Sequence, residues 1–363
     1  MSTRSAPLPE RAVRRAGRIA ETLALALVAA LACERAQVPL PWMIGPLLAT
    51  ALCGVCGAAV DAAAPLRNVG QWIIGTALGL YFTPAVVRTL WALAPALVAG
   101  IAWALLLGFG FYRLLARASN ARSPHEHATA YFAAAIGGAS EMAVLGERHG
   151  GRIDRIAAAH SLRLLIVVVV IPFGFQWAGL KGLDASPPAV VQVNVGGLAL
   201  LGALTLLGAF LLRRLGLPNP WVLGALLVGM VLTASGVELS ALPRPVSSAG
   251  QLFIGVALGT RFTPDFVHAA PRWLATVAAG SLGMIVLSGV FAWSVAQVAH
   301  LHWATVLLGT SPGGIAEMCI TAQVLQLGVP VVTAFHVTRY IAVLLLTAPI
   351  YRRVVLQSLR AAS

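Results

Sequence analysis

Residues 70–79 read Gly70-Gln71-Trp72-Ile73-Ile74-Gly75-Thr76-Ala77-Leu78-Gly79 and close on Phe82-Thr83-Pro84. The same text returns 180 residues later as Gly250-Gln251-Leu252-Phe253-Ile254-Gly255-Val256-Ala257-Leu258-Gly259, closing on Phe262-Thr263-Pro264. Three further blocks recur in the same order, at offsets of 176 to 179. Pro41-Trp42-Met43-Ile44-Gly45 returns as Pro220-Trp221-Val222-Leu223-Gly224, and Gly137-Gly138-Ala139-Ser140-Glu141-Met142 as Gly313-Gly314-Ile315-Ala316-Glu317-Met318. His160-Ser161-Leu162-Arg163 returns as His336-Val337-Thr338-Arg339. Four blocks in one order mark an internal duplication, which governs how every other segment is read. The copies run over 19–180 and 195–357, after an Arg-rich N-terminus over 1–18. A linker over 181–194, containing Asp184-Ala185-Ser186-Pro187-Pro188, joins them.

Composition sets the class. Of 363 residues, 59% are hydrophobic and 10% charged, against roughly 25% charged in ordinary soluble domains. A soluble globular enzyme and a disordered regulator are both excluded, leaving an all-α polytopic membrane protein. Each copy holds six apolar segments: 19–36, 42–60, 69–84, 91–115, 128–147 and 156–178, then 195–213, 220–237, 249–264, 272–298, 303–325 and 330–351. The third of each set is short for a hydrocarbon core of ~30 Å. The fifth is interrupted by paired glycines, in the second copy also by Pro312, so a break in the helix is expected there, facing a cavity or protein.

The formal net charge is +13, and all but one of the cations are Arg. In a membrane protein that balance points first to cytoplasmic loops lying against anionic lipid. No polar stretch is long enough for a DNA-binding domain, so no direct nucleic-acid partner is expected. Arg4, Arg11, Arg14, Arg15 and Arg18 precede the first apolar stretch, which could be read as a signal peptide ending near Ala32-Cys33. Its counterpart in the second copy favours a retained first membrane helix with the N-terminus in the cytoplasm. Cys33, Cys53, Cys56 and Cys319 all lie in apolar runs, so burial without a disulfide is expected. The Cys53-x-x-Cys56 pair has no second pair to complete a four-sulfur metal site.

Loop charge separates parallel from inverted repeats. Arg113, Arg117 and Arg122 follow the fourth segment of the first copy, where the second has only His300 and His302. Arg148, Arg152 and Arg155 lie between its fifth and sixth segments, where the second copy has no charge. Conversely, Arg213 and Arg214 follow the first segment of the second copy, against a single Glu34–Arg35 pair. Opposite charge at equivalent loops is what the positive-inside rule predicts for opposite orientations. Two inverted-topology repeats follow, each of about five transmembrane helices plus one broken or re-entrant segment. Arg352 and Arg353 then place the C-terminus in the cytoplasm as well.

Glu141 and Glu317 stand in otherwise uncharged apolar segments, three residues after a Gly-Gly pair. A carboxylate at membrane depth costs at least about 2.5 kcal/mol and needs a partner or a task. Arg163 and Arg339, each preceded at i−3 by His160 or His336 on the same helix face, are the expected partners. One reading is a pair of Glu–Arg bridges that fix helix register. The other is a binding and coupling site at the repeat interface, made of Gly137, Gly138, Ser140, Glu141, His160 and Arg163 with Ser311, Pro312, Gly313, Gly314, Glu317, His336 and Arg339. Half-helix ends and carboxylates able to take a proton or Na⁺ would serve it, and the arginines could anchor an anionic solute. Gly75 with Gly79, and Gly255 with Gly259, form G-x-x-x-G pairs suited to close helix packing. Gln71 and Gln251 would line the pathway or bond to a neighbouring helix, and the Pro-Trp blocks read as helix starts with an interfacial aromatic. His125-Glu126-His127 and His300-Leu301-His302 would sit on opposite membrane faces, so neither a shared metal nor a cofactor is expected.

The duplicated Gly-Gln-x-x-Ile-Gly-x-Ala-Leu-Gly-x-x-Phe-Thr-Pro blocks, with Ser311-Pro312-Gly313-Gly314-Ile315-Ala316-Glu317-Met318, resemble the AbrB-type duplicated bacterial membrane protein family over nearly the whole chain. The resemblance implies a place in the superfamily of cation/proton antiporters and anion transporters, with inverted five-helix repeats in the inner membrane. It also brings conflicting labels: regulation of gene expression, and ammonia monooxygenase. A regulator would act indirectly by moving a metabolite; a copper monooxygenase would need a ligand cluster that separated histidines do not make, so no enzyme activity is expected. The first copy has Ala135-Ile136 where the second has Ser311-Pro312, so a milder break is expected there. The function expected is ion-coupled secondary transport of a small, possibly anionic solute, with a membrane sensor as the alternative.

Overall fold

The computed structural model describes residues 8–183, 187–268 and 270–357. Arg4 and Asp184-Ala185-Ser186 of the linker lie outside the described residues. Within them every regular element is a helix. The first copy contributes α1 (Leu8–Arg35), α2 (Pro41–Val55), α3 (Ala64–Gly79), α4 (Pro84–Ala92), α5 (Ala94–Ala118), α6 (Pro124–Ala134), α7 (Ala139–Arg148) and α8 (Ile153–Trp177). The second contributes α9 (Val195–Arg214), α10 (Pro220–Ala234), α11 (Arg244–Gly259), α12 (Pro264–His268), α13 (Pro271–Ala299), α14 (Trp303–Thr310), α15 (Ile315–Leu325) and α16 (Val329–Ile350). A stretch of wider π geometry, Tyr351–Leu356, continues α16. Element for element the copies match, and six helices are long and apolar enough to cross a membrane. The chain is a multi-pass helical membrane protein.

Proline and threonine set many of the starts. Pro41 and Pro220 occupy the first turn of α2 and α10, where the missing N–H costs nothing. Trp42 Nε1 donates to Glu34, while Trp221 meets Phe210 edge to face and lies under the Arg213 guanidinium. The Phe-Thr-Pro signatures prove to be caps: Thr83 accepts from the Val86 amide and Thr263 from the Phe266 amide. They start the short helices α4 and α12, and α4 turns 86° away from α3.

Two compact units result. The first comprises residues up to Ile74 together with 242–269, so α1, α2, α11, α12 and most of α3. Here α2 packs between α1 and α11. Gly45 lies against the Ala29 backbone and Gly255 against the Met43 carbonyl; a Cβ at either would stand under 3.0 Å from backbone atoms. This is the close approach that small residues permit. Arg15 forms an ion pair with Asp61, 3.0 Å apart, in this unit. Helix α1 begins at Leu8, so Arg11, Arg14, Arg15 and Arg18 of the basic segment lie on the helix that carries the first apolar stretch.

The second unit comprises 75–241 and the residues from Ala270 on. The last turn of α3 packs on α10, with the Gly79 Cβ position 2.8 Å from Gly229 Cα. That is the counterpart, in the other copy, of the α11–α2 packing. The core gathers on α6, where Phe132, Ala133 and Ala134 are fully buried among Leu115, Met142, Ile156 and Val277. Only Cys319 of the four cysteines is buried; Cys56 is exposed and Cys33 and Cys53 are half-buried, so burial does not explain those three. An apolar helix face turned to lipid accommodates a thiol as readily as a core does.

Candidate functional site

Both fifth segments are broken helices in the second unit. Helix α6 starts on a capping box: Ser123 accepts from the Glu126 amide, and the Glu126 carboxylate accepts from the Ser123 and Arg122 amides at 3.0 and 2.8 Å. The bonds from the Ser123 and Arg122 amides lead in holding its carboxyl at about 2, below the usual range. Helix α14 starts at His302, whose Nδ1 accepts from the Ala304 amide. Each half-helix ends on an extended residue, Ala135 or Ser311, and the chain restarts three residues later from N-cap Gly138 or Gly314. The breaks are equally long, although only the second has a proline. The expected milder break is not found, because what holds each one open is an arginine.

The termini of α6 and α14 leave carbonyls without intrahelical partners, and the helix dipole makes that end negative. Arg163 Nη1 donates to the carbonyls of Ala134 and Ala135, at 3.4 and 3.1 Å. Arg339 donates through Nη1 to the Ser311 carbonyl and through Nη2 to Gly313, at 2.7 Å in the latter case. Each arginine also donates to Nδ1 of the histidine one turn earlier, His160 at 2.9 Å and His336 at 2.8 Å. A guanidinium can only donate, so Nδ1 accepts and Nε2 carries the hydrogen. That hydrogen goes to Phe132 O from His160 and to Leu308 O from His336, both at 2.9 Å. Arginine and histidine form one clamp per copy, tying α8 to the end of α6 and α16 to the end of α14.

In place of the expected Glu–Arg bridges, the acceptors found for both guanidinium groups among the described residues are the carbonyls of the broken ends and a histidine nitrogen. Nε of each arginine is buried without a hydrogen bond. Glu141 and Glu317 instead occupy the third position of α7 and α15, next to the positive end of the helix dipole. Each carboxylate folds back over its N-cap glycine: a Cβ at Gly138 would collide with Glu141 Oε2, and one at Gly314 with Glu317 Oε2. The glycines are needed to seat the carboxylates.

The thirteen sequence-predicted residues all fall in this unit, at the breaks or on the helices behind them. Ser140 is exposed; Ser311 is fully buried, and its hydroxyl donates to Leu308 O. Gly137 lies against Met142 and Val343, and Gly313 against Met318 and Val167, the equivalent pairs of the two copies. A cavity of about 30 Å³, room for a water molecule, opens on the first break between Tyr131, Ala135, Ile136 and Val343. The His-x-His pairs serve local structure: His127 Nδ1 bonds to the Tyr112 hydroxyl at 3.0 Å, and His302 caps α14. Sequence reasoning missed Tyr340, whose ring packs on Gly138 beside Glu141. Its signal was a mismatch between copies, since Leu164 stands at the equivalent position.

Comparison with known proteins finds a family model described as "Transition state regulatory protein AbrB", which matches residues 42–355. The chain is similar to "Uncharacterized protein YhjN" of Bacillus subtilis (strain 168), 24% identical over 339 residues, covering 86% of each chain. It is similar also to "Putative regulator AbrB" of Escherichia coli (strain K12), 23% identical over 321 residues, covering 87% of this chain and 90% of that one.

Proposed function

The chain belongs to the AbrB family, and from that premise and the paired broken helices we propose that it is an ion-coupled secondary transporter of a small solute, not an enzyme. One observation carries the reading. Two helices are interrupted at equivalent places, and each restarts on a glycine that seats a glutamate. Irregular backbone at membrane depth is tolerated where it lines a cavity or is buried in protein. In transporters built of inverted repeats, such half-helix ends form the solute and ion sites. In this arrangement Glu141 and Glu317 exchange the coupling cation, while the N-terminal amides of α7 and α15 receive the negative end of the solute. The arginines keep the breaks open and do not meet the solute. A carboxylate-bearing solute fits the amide ends best. We place the protein in the bacterial inner membrane with inverted repeats and both termini cytoplasmic, as loop charge favours.

Proteoliposomes loaded with a pH-sensing dye test this. A panel of small mono- and dicarboxylates is added outside, and dye response is compared for the native protein, Glu317→Gln and Glu141→Gln. Solute-dependent proton movement that either substitution abolishes in a folded protein supports the reading. Normal flux in both variants would reduce the glutamates to structural residues.

A second reading is favoured by the names of the family and of the Escherichia coli relative, which speak of regulation. A membrane protein of this build would regulate indirectly, by binding or moving a metabolite. Saturable solute binding without flux would select it.

A further inference from the structure

The two copies of the site differ at a position that faces a glutamate. Tyr340 follows Arg339 in α16; its equivalent after Arg163, 176 residues earlier, is Leu164. The Tyr340 ring edge lies 3.1 Å from the Cβ position of Gly138, where the Glu141 carboxylate also sits. In the other copy Leu164 lies 3.4 Å from the Cβ position of Gly314, beside Glu317. One carboxylate thus meets a phenol and its counterpart meets an aliphatic side chain.

Tyr340 is 7% exposed, and its hydroxyl is buried with no hydrogen bond of regular geometry to any protein group. A buried hydroxyl left in that condition is unusual and asks for a partner. The group nearest to supply one is the Glu141 carboxylate, which acts on this hydroxyl electrostatically. Around them stand Tyr131 on α6, His160 and Arg163 on α8, and His336 and Arg339 on α16. Tyr131 donates to Thr347 O, and the arginine Nη atoms and histidine nitrogens bond to one another and to backbone carbonyls, while Nε of Arg163 and of Arg339 stays buried without a hydrogen bond.

We propose that Glu141 and Tyr340 form a proton-loading site peculiar to the first repeat. The Glu141 carboxylate takes up one proton and becomes a neutral carboxylic acid. The Tyr340 hydroxyl donates to the carboxylate before uptake and accepts from the acid afterwards, so one rotation of the phenolic hydrogen serves both states. Water in the neighbouring cavity delivers the proton. The inference deepens the transport reading by assigning the coupling ion and its half-site, but proton binding itself does not depend on that reading.

Infrared difference spectra of the full-length protein in lipid vesicles, recorded across pH, read the carboxyl stretch directly. The native protein is expected to show a titrating band that Glu141→Gln removes and Glu317→Gln leaves. Tyr340→Phe keeps the band but changes its proton affinity about tenfold, because the ionised form loses a charge-assisted hydrogen bond. Since Tyr340→Phe removes one buried oxygen atom, it remains testable even if Glu141→Gln does not fold. An unchanged midpoint in Tyr340→Phe, or a band that survives Glu141→Gln, overturns the proposal. Vesicles without flux but with this titration would sink the transport reading and leave the site standing.

Discussion

Arg339 lies 28 residues beyond Ser311, and its guanidinium takes the carbonyl on which α14 ends. The same side chain reaches Gly313 O and His336 Nδ1. Replacing it by alanine strands these acceptors in a buried place, each at roughly 1–3 kcal/mol. Arg339→Ala should therefore destabilise the protein by on the order of 3 kcal/mol or more, measured by thermal unfolding in detergent. Arg339→Lys should recover little of this, because an ammonium cannot span two carbonyls and a ring nitrogen as a planar fork does. A lysine variant of native stability would show that charge alone holds the break.

The glycine–glutamate seat makes a prediction of a different shape. Gly314→Ala should cost on the order of 1 kcal/mol while Glu317 is present, because the new methyl group crowds Oε2 and the flexible carboxylate must swing off its seat. In a Glu317→Ala background the same substitution should cost much less, so the two effects are coupled and not additive. Equal cost in both backgrounds would mean that the backbone at 314, not the carboxylate, requires glycine. The same cycle at Gly138 and Glu141 should behave alike.

Much of this was legible. The duplication, both breaks and the small-residue packing at Gly79 and Gly255 follow from repeated text and apolar length, whereas helix starts such as Leu8 do not. The arginine partners did not. Opposite charge suggested Glu141 for Arg163, whereas the acceptors are backbone carbonyls that no sequence displays. They could have been anticipated by asking where the orphaned end of a half-helix finds its donors. Tyr340 was hidden by attention to what the copies share; the residue that differs at an otherwise symmetric site carries the extra information. The Thr83-Pro84 and Thr263-Pro264 pairs are ordinary cap sequences, overlooked because the repeated block was read as one packing surface.

The capping box at Ser123 and Glu126 gives a pH dependence outside the membrane segments. The folded carboxyl lies at about 2, below its ordinary value, through bonds from the Ser123 and Arg122 amides. Its contribution is therefore complete above the usual carboxylate range and fades as pH falls toward about 2. Hydrogen exchange of the Ser123 and Arg122 amides should stay slow through mild acid and accelerate, relative to intrinsic rates, only below that range. Glu126→Ala should remove the protection already at neutral pH. Protection that is lost near the ordinary carboxylate range would mean the box does not persist in the membrane-embedded protein.

Orientation of the repeats is tested by single cysteines at Ser119 and Leu301, in a background lacking the four native ones. Both follow the long fourth segment of their copy, α5 or α13, and lie just before the broken helix. Arginines crowd the first position and histidines the second, and positive charge is retained on the cytoplasmic side. Ser119→Cys should therefore be shielded from an impermeant thiol reagent on intact cells, and Leu301→Cys should react. Permeabilisation should expose both, which controls for burial. Equal shielding in intact cells would make the copies parallel, because equivalent loops would share a side. The two clamps would then open their broken ends the same way, and a single site facing alternate sides by exchange of the two halves would lose its symmetry argument.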